Sequence, residues 1–212
     1  MESEGSDTEA RLVPVFVSFS RDLVFPRATG PLSDLPDDQL LDSYFDYLDD
    51  HWIAPLKRLA GSNEGSLIVL TVCYSLMEVY EQLRSGSSSK GSVAAFIRKG
   101  ARRVLDGQMS RTMRPEEREA FAQRFTEVTR NALVHDLALR DMSIEFDGEG
   151  VGGFSMADDI KSGDTGVDPH WLLQIIADEF DAYRNALNQD PELRAHFRAV
   201  VLRAVEDRSY RD

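Results

Sequence analysis

Residues 66–84 decide the fold, and they read SLIVLTVCYSLMEVYEQLR. Apolar side chains recur on every side of this stretch, and its first turns contain almost no polar surface. A helix that is apolar nearly all round is buried on most of its faces, whereas a surface helix shows a single apolar stripe. The stretch therefore predicts a helix at the centre of a helical bundle.

Helix signals surround this central stretch on both sides. Pro36, Pro115, Pro169 and Pro191 stand where proline favours the first turn of a helix, and two of them follow an aspartate that can cap it. Pro55 falls inside an apolar pattern, where it kinks or ends a helix. The predicted fold is mainly all-α, an up-and-down bundle of five to six helices. The expected helices span about residues 36–59, 66–84, 93–105, 115–139, 169–187 and 191–205.

Two segments carry strand signals instead. Leu12–Phe19 favours an extended arm or an edge strand, because Pro14 cannot donate to a sheet ladder. Residues 142–156 alternate apolar and polar side chains around a glycine-rich turn, which predicts a small β-hairpin after the 115–139 helix. We therefore expect four parts: a flexible acidic N-terminus and arm (1–35), the bundle core (36–140), the hairpin with an acidic loop (141–167), and a C-terminal helical pair packed on the same domain (168–212).

The composition is ordinary for a soluble protein, with 42% hydrophobic and 29% charged residues. Its one cysteine, Cys73, lies in an apolar run, so neither a disulfide framework nor a cysteine zinc site is expected. The histidines show no spacing typical of a metal-binding helix, and no apolar run is long enough to cross a membrane. An acidic N-terminus without a basic segment argues against a signal peptide. We therefore expect a cytoplasmic protein that needs no metal or other cofactor.

The net charge of −13 argues against broad binding to nucleic acids, because a polyanion is repelled by a protein of the same sign. The distribution of the charge changes that picture. Residues 90–130 hold ten basic and five acidic side chains, so this segment carries +5 and the remainder of the chain −18. Its candidate phosphate-binding or RNA-binding residues are Arg98, Arg102, Arg103 and Arg124. The alternative is that two solvated helix faces are simply rich in arginine.

The 115–139 helix carries the most distinctive side chains near its end, in Arg130-Asn131-Ala132-Leu133-Val134-His135. Arginine grips a phosphate with two parallel hydrogen bonds, and histidine titrates near neutral pH. These are two of the groups that phosphodiester cleavage needs. On an ideal helix Asn131 and His135 share one face, whereas Arg130 and His135 are about 140° apart. Arg130 and His135 therefore meet either at a bent helix end or across the two-fold axis of a dimer.

His135 occupies a helical slot in which an apolar residue is expected. The core-facing stripe that includes this slot consists of Phe121, Phe125, Val128, Ala132 and Leu139. The chain offers an internal comparison, since Arg184-Asn185-Ala186-Leu187 repeats the first four residues of the motif and has Gln189 in place of the histidine. Only the histidine and its setting distinguish the motif. The alternative is a core histidine held by hydrogen bonds, or one that caps the helix C-terminus.

Glu78 is a supporting candidate on the central helix, where it stands between Met77 and Val79. A buried carboxylate needs a partner, and Arg130 is a candidate for that partner. The alternative is that Glu78 faces outward and is hydrated.

The Arg-polar-x-x-x-His signature, preceded by the strongly apolar helix Leu67–Leu83, resembles the HEPN superfamily over roughly residues 66–139. Members of that family are all-α dimers, and many are metal-independent endoribonucleases of toxin, phage-defence and RNA-processing systems. The resemblance implies Arg130 on the scissile phosphate, Asn131 as its polar neighbour and His135 as the acid/base group.

The resemblance further implies a homodimer that acts on RNA, cleaving it by attack of a 2′-hydroxyl on the phosphodiester, with a cognate antitoxin or inhibitor as a further partner. Some members of the family have lost cleavage and serve as binding subunits. The alternative is therefore a noncatalytic dimeric module that binds a nucleotide or a protein.

Overall fold

The computed structural model describes residues 34–60, 65–128, 142–144, 154–156 and 165–209. Most of these residues are helical, which confirms the prediction of a mainly all-α fold. The helices are α1 (Asp37–Leu48), α2 (Ala54–Ala60), α3 (Ser66–Ser85), α4 (Val93–Gln108), α5 (Pro115–Val128), α6 (Pro169–Leu187) and α7 (Pro191–Ser209). No helix in these ranges is both long enough and apolar enough to cross a membrane. The predicted arm, Leu12–Phe19, lies outside the described residues.

The first predicted helix is interrupted by a π-helical turn at Asp49–Ile53, between α1 and α2. Pro55 is the second residue of α2. As a proline it has no N–H to donate to the carbonyl four residues earlier. A widened turn relieves the clash between a proline ring and that carbonyl, and π-turns are a known cause of helix kinks. The wide turn before Pro55 confirms the prediction that this proline disturbs the helix.

Helix α3 is the central element of the bundle, as its apolar sequence predicts. It packs against α2, α4, α6 and α7. Its fully buried side chains include Leu70, Cys73, Leu76 and Met77. Gly86 ends the helix in the left-handed region, with φ of 66°, and donates its N–H to the carbonyl of Gln82.

The contact between α3 and α4 is unusually close at Gly100. A Cβ atom at this residue would lie 1.9 Å from the carbonyl oxygen of Met77. Only glycine, which has no Cβ, lets the backbones of the two helices approach so closely. Gly100 therefore fixes where α4 crosses α3.

Helices α6 and α7 begin at the two Asp-Pro pairs, as predicted. The Asp168 carboxylate accepts hydrogen bonds from the backbone N–H groups of His170 at 2.7 Å and Trp171 at 3.3 Å. The Asp190 carboxylate accepts from residues 192 and 193 in the same way. Each aspartate satisfies N–H groups that the first turn of a helix leaves without a partner.

The strands form a small sheet whose topology differs from the predicted hairpin. The strands are β1 (Met142–Ile144), β2 (Phe154–Met156) and β3 (Thr165–Val167), in the order β1-β3-β2. β1 runs parallel to β3 and β2 antiparallel to it, so the predicted direct pairing of β1 with β2 is wrong. Val167 of the middle strand β3 is fully buried and directly precedes the cap of α6, which ties this strand to the core.

Candidate functional site

Arg130, Asn131 and His135 follow α5 and lie outside the described residues. The part of α5 that leads to them is anchored to the bundle, because Phe121 and Phe125 of the predicted stripe are buried. Their rings stack at 5.5 Å, and Phe121 meets the edge of Trp171 of α6 at 6.4 Å. The burial of these two rings confirms the inward face of α5 up to Phe125.

Glu78 is half-buried and accepts two hydrogen bonds, one from α3 and one from the loop that joins α3 to α4. It accepts from the hydroxyl of Ser89 at 2.5 Å and from the side-chain amide of Gln82 at 3.2 Å. Gln82 also donates to Ser89, so the three side chains form a closed set between α3 and the loop that follows it. Whether Arg130 joins them falls outside the described residues. Glu78 is thus neither fully buried nor simply hydrated.

Arg98 and Arg102 are brought together by Glu119 across the contact between α4 and α5. Arg98 donates through Nε to one carboxylate oxygen of Glu119 at 2.9 Å, and Arg102 donates through Nη1 to the other at 3.2 Å. Arg102 also donates to Asp106 at 2.9 Å and to the carbonyl of Pro115 at 2.8 Å. Both arginines therefore donate hydrogen bonds that hold α5 against α4.

Asp106 of α4 accepts hydrogen bonds from both Arg102 and Arg118. It accepts from Arg118 at 2.6 Å, and Arg118 is nearly buried and also donates to the carbonyl of Met113. Partial burial by itself would raise the pKa of Asp106, but the hydrogen bonds and charges of Arg102 and Arg118 outweigh it. The pKa of Asp106 is therefore held below its ordinary value, and the carboxylate stays charged at neutral pH.

Arg103 belongs to a separate contact, between α4 and α3. Its Nε donates to Glu81 at 2.5 Å. The Glu81 side chain is only 3% exposed, whereas that of Arg103 is 49% exposed. Arg124, the fourth predicted phosphate-binding residue, is half-buried on α5. The structure therefore brings Arg98 and Arg102 together and places Arg103 against a different helix.

A buried polar cluster around Glu179 of α6 was not anticipated from the sequence. Glu179 accepts from the Tyr80 hydroxyl at 2.5 Å and from the Gln108 amide at 2.9 Å. Arg84 donates to the same hydroxyl at 3.2 Å. Burial and the bond to Glu179 raise the pKa of Tyr80, so the phenol stays protonated and acts as a donor. The carboxylate joins α3, α4 and α6.

One sequence signal could have identified this cluster. Glu179 stands four residues after Ile175 and four before Tyr183, on the apolar stripe of α6. A carboxylate on a core-facing stripe requires buried donors. The stripe indicates that donors exist, although it does not say which residues provide them.

The described residues hold no group of three or more His, Cys, Asp or Glu side chains arranged to bind a metal ion. No protein-family model, characterised protein or solved structure is significantly similar to this chain.

Proposed function

We propose that this protein is a metal-independent endoribonuclease of the HEPN type, acting as a homodimer. The observation that carries the proposal is the Arg130-Asn131-x-x-x-His135 sequence, which begins two residues after the end of α5. The burial of Phe121 and Phe125 supports it, because these two rings fix the part of α5 that precedes the motif on the bundle. The mainly helical fold agrees with what the family resemblance implies.

The mechanism follows from the chemistry of the two side chains. His135 removes the proton from the ribose 2′-hydroxyl, or protonates the departing 5′-oxygen from the second subunit, because cleavage in one step needs both a base and an acid. Arg130 stabilises the charge that develops on the oxygens of the attacked phosphate. Asn131 orients His135 or the phosphate. The products are a 2′,3′-cyclic phosphate and a free 5′-hydroxyl.

Cleavage of a mixed RNA substrate in excess EDTA tests the proposal. We expect wild type to cleave and to leave 2′,3′-cyclic phosphate ends, and His135→Ala to lose cleavage while remaining folded. His170→Ala is the matched control, since His170 is exposed at the start of α6. Absence of cleavage by wild type, or equal cleavage by wild type and His135→Ala, would remove the main support for the nuclease.

Arg130→Lys separates a bidentate contact from a simple positive charge. Lysine keeps the charge but cannot form two parallel hydrogen bonds to a phosphate, so we expect cleavage to fall nearly as far as in His135→Ala. Arg184→Lys is the control within the repeated Arg-Asn-Ala-Leu sequence. Arg184 binds Asp42 at 2.9 Å and lies over the ring of Phe45, so its replacement should leave the cleavage rate unchanged.

A second candidate function, a noncatalytic dimeric module that binds a nucleotide or a protein, is favoured by one observation. Arg98, Arg102 and Arg103 each form an ion pair with a carboxylate, which reduces the positive charge offered to RNA. The net charge of −13 acts in the same direction. Under this alternative, neither wild type nor His135→Ala cleaves RNA.

A further inference from the structure

The outward face of α4 carries an arginine that is held by a buried carboxylate. Arg103 uses only Nε in its bond to Glu81, and its terminal nitrogens Nη1 and Nη2 make no hydrogen bond to the part of the chain that the structure describes. Those two nitrogens form the edge of the guanidinium that binds a phosphate or carboxylate with two parallel bonds. Arg103 is therefore fixed at one side and available at the other.

The neighbouring arginines differ from Arg103 in this respect. Arg102 donates through Nε and Nη1 to two carboxylates and a backbone carbonyl, and its side chain is only 26% exposed. Arg98 donates through both Nε and Nη2 to Glu119. Of these three arginines of α4, Arg103 retains the most donor capacity toward a ligand.

The close crossing of α3 and α4 explains how Arg103 reaches Glu81. Two helices joined by a connection as short as Gly86–Ser92 pack antiparallel. Side chains on a helix lean toward its N-terminus, so Glu81 and Arg103 both lean back toward the level at which Gly100 meets Met77. The short distance between the helix axes there lets the two side chains meet while the guanidinium stays at the surface.

Lys99 supplies a second positive charge beside Arg103. It precedes Arg103 by four residues, so the two side chains are neighbours on the same face of the helix, and both are exposed. Lys99 forms no ion pair with any carboxylate among residues 34–60, 65–127 and 167–204. Like charges at this spacing repel each other, and a phosphate bound by both side chains would reduce that repulsion.

We infer that Lys99 and Arg103 form a binding site for one phosphate of the RNA backbone, and that Glu81 is the positioning residue that orients Arg103. This inference rests on the proposed action on RNA and names where the substrate backbone would be held. Arg103 supplies a bidentate contact and Lys99 a point charge, a combination that suits a phosphate diester. The contact carries no base specificity, because it involves only the backbone.

The test measures binding of a labelled single-stranded RNA of mixed sequence to the full chain carrying His135→Ala, by fluorescence anisotropy across a range of salt concentrations. In that background we expect Lys99→Ala to weaken binding on the order of fivefold and to lower the salt slope by less than about 0.7, the value for a whole phosphate contact on a single strand, because Arg103 still contacts the phosphate. Lys57→Ala, at an exposed lysine of α2, removes the same charge and should change the affinity less than twofold. Equal effects of the two lysine substitutions would overturn the site.

Arg103→Lys keeps the charge that neutralises buried Glu81, so it keeps the fold, yet it removes the bidentate edge. We expect it to weaken RNA binding on the order of fivefold, whereas Arg98→Lys changes it less than twofold. Thermal unfolding of each variant confirms that the compared proteins are folded. If Arg98→Lys weakens binding as much as Arg103→Lys, Arg103 has no special role.

Glu81→Gln tests the positioning role through the direction of its effect. Removing a negative charge near a polyanion strengthens binding if only net charge matters. Loss of the charged hydrogen bond frees the guanidinium, so a positioning role predicts weaker binding, on the order of threefold. Glu119→Gln, which alters a 42% exposed carboxylate, should leave binding unchanged or slightly stronger. Binding by Glu81→Gln as tight as that of its parent would overturn the positioning role.

The binding and cleavage experiments fail independently. RNA cleavage that depends on His135, together with unchanged binding by Lys99→Ala, would retain the nuclease and remove the phosphate site. Binding that depends on Lys99 and Arg103 without any cleavage by wild type would retain the site and remove the nuclease.

Discussion

Replacing Gly100 with alanine probes the backbone contact that sets α4 against α3. The added Cβ would lie 1.9 Å from the carbonyl oxygen of Met77 and 2.7 Å from its carbonyl carbon. Both atoms belong to the backbone of a buried helix, so neither can turn aside as a side chain would. The substitution therefore forces the two helices apart.

Two opposing effects determine the size of the loss. Overpacking a well-packed core costs about 1–3 kcal/mol and occasionally more, and a collision with backbone belongs at the upper end of that range. Alanine in place of glycine stabilises a helix by about 1 kcal/mol. We therefore expect the free energy of unfolding to fall by about 2 kcal/mol, which lowers the melting temperature by about 4–8 °C in a chain of this length.

Gly107→Ala on the same helix is the matched control. It brings the same gain in helix propensity, and its Cβ would meet a carboxylate oxygen of Glu179 at 2.1 Å. That obstacle is the end of a side chain, so we expect a smaller loss than at Gly100. Both variants are measured by thermal and urea unfolding. A Gly100→Ala protein as stable as wild type would refute the close crossing and the explanation it gives for the Arg103 contact.

The Tyr80 hydroxyl, the Asp168 cap and the Asp106 carboxylate each stabilise the folded chain. Tyr80→Phe removes a donor from buried Glu179 and should lower the free energy of urea unfolding by about 1–3 kcal/mol. Asp168→Ala removes the cap of α6 and should lower it by about 1 kcal/mol. Because the pKa of Asp106 is depressed in the folded protein, its stabilising effect is present above the unfolded value of about 3.9 and is lost as the pH falls through the folded value. Wild type should therefore lose stability in acid, and Asp106→Asn should lack that part of the loss when melting temperature is followed against pH.

Each of these changes has a control and a contrary outcome. Tyr183→Phe removes only a bond to a backbone carbonyl, so it should cost less than Tyr80→Phe; a larger cost would count against the Glu179 cluster. Asp178→Ala alters an exposed carboxylate that accepts from Gln174 on the same helix, and a loss equal to that of Asp168→Ala would mean that capping is not the cause. Identical acid profiles of wild type and Asp106→Asn would contradict the depressed pKa.

The helices could be predicted from the sequence because their signals are local. Asp168 and Asp190 each precede a proline, and the side chain that caps the helix is separated from the N–H groups it binds by only two or three residues. The apolar side chains that recur around residues 66–84 likewise indicate a central helix without reference to any other part of the chain.

The partners of Tyr80 and Arg103 could not be predicted, because they are distant in sequence. Tyr80 and Glu179 are 99 residues apart, and nothing in either segment points to the other. Arg103 and Glu81 are separated by 22 residues, and their contact depends on how closely α4 approaches α3. β3 was missed because its middle residue is Gly166, and glycine is depleted in strands.

The π-helical turn at Asp49–Ile53 determines which side chains of α2 face the core, because it sets the rotation of α2 about its axis relative to α1. Deleting one residue from the turn would rotate α2 by about 100° relative to α1, since each residue of a helix advances by that angle. Leu56 and Ala60, which are buried, would then swing away from the core, and Pro55 would enter a regular helical ladder that cannot accept it. The length of this short turn is thus as constrained as the identity of any core residue, and a change of one residue in either direction is expected to disturb the packing of the whole N-terminal helix.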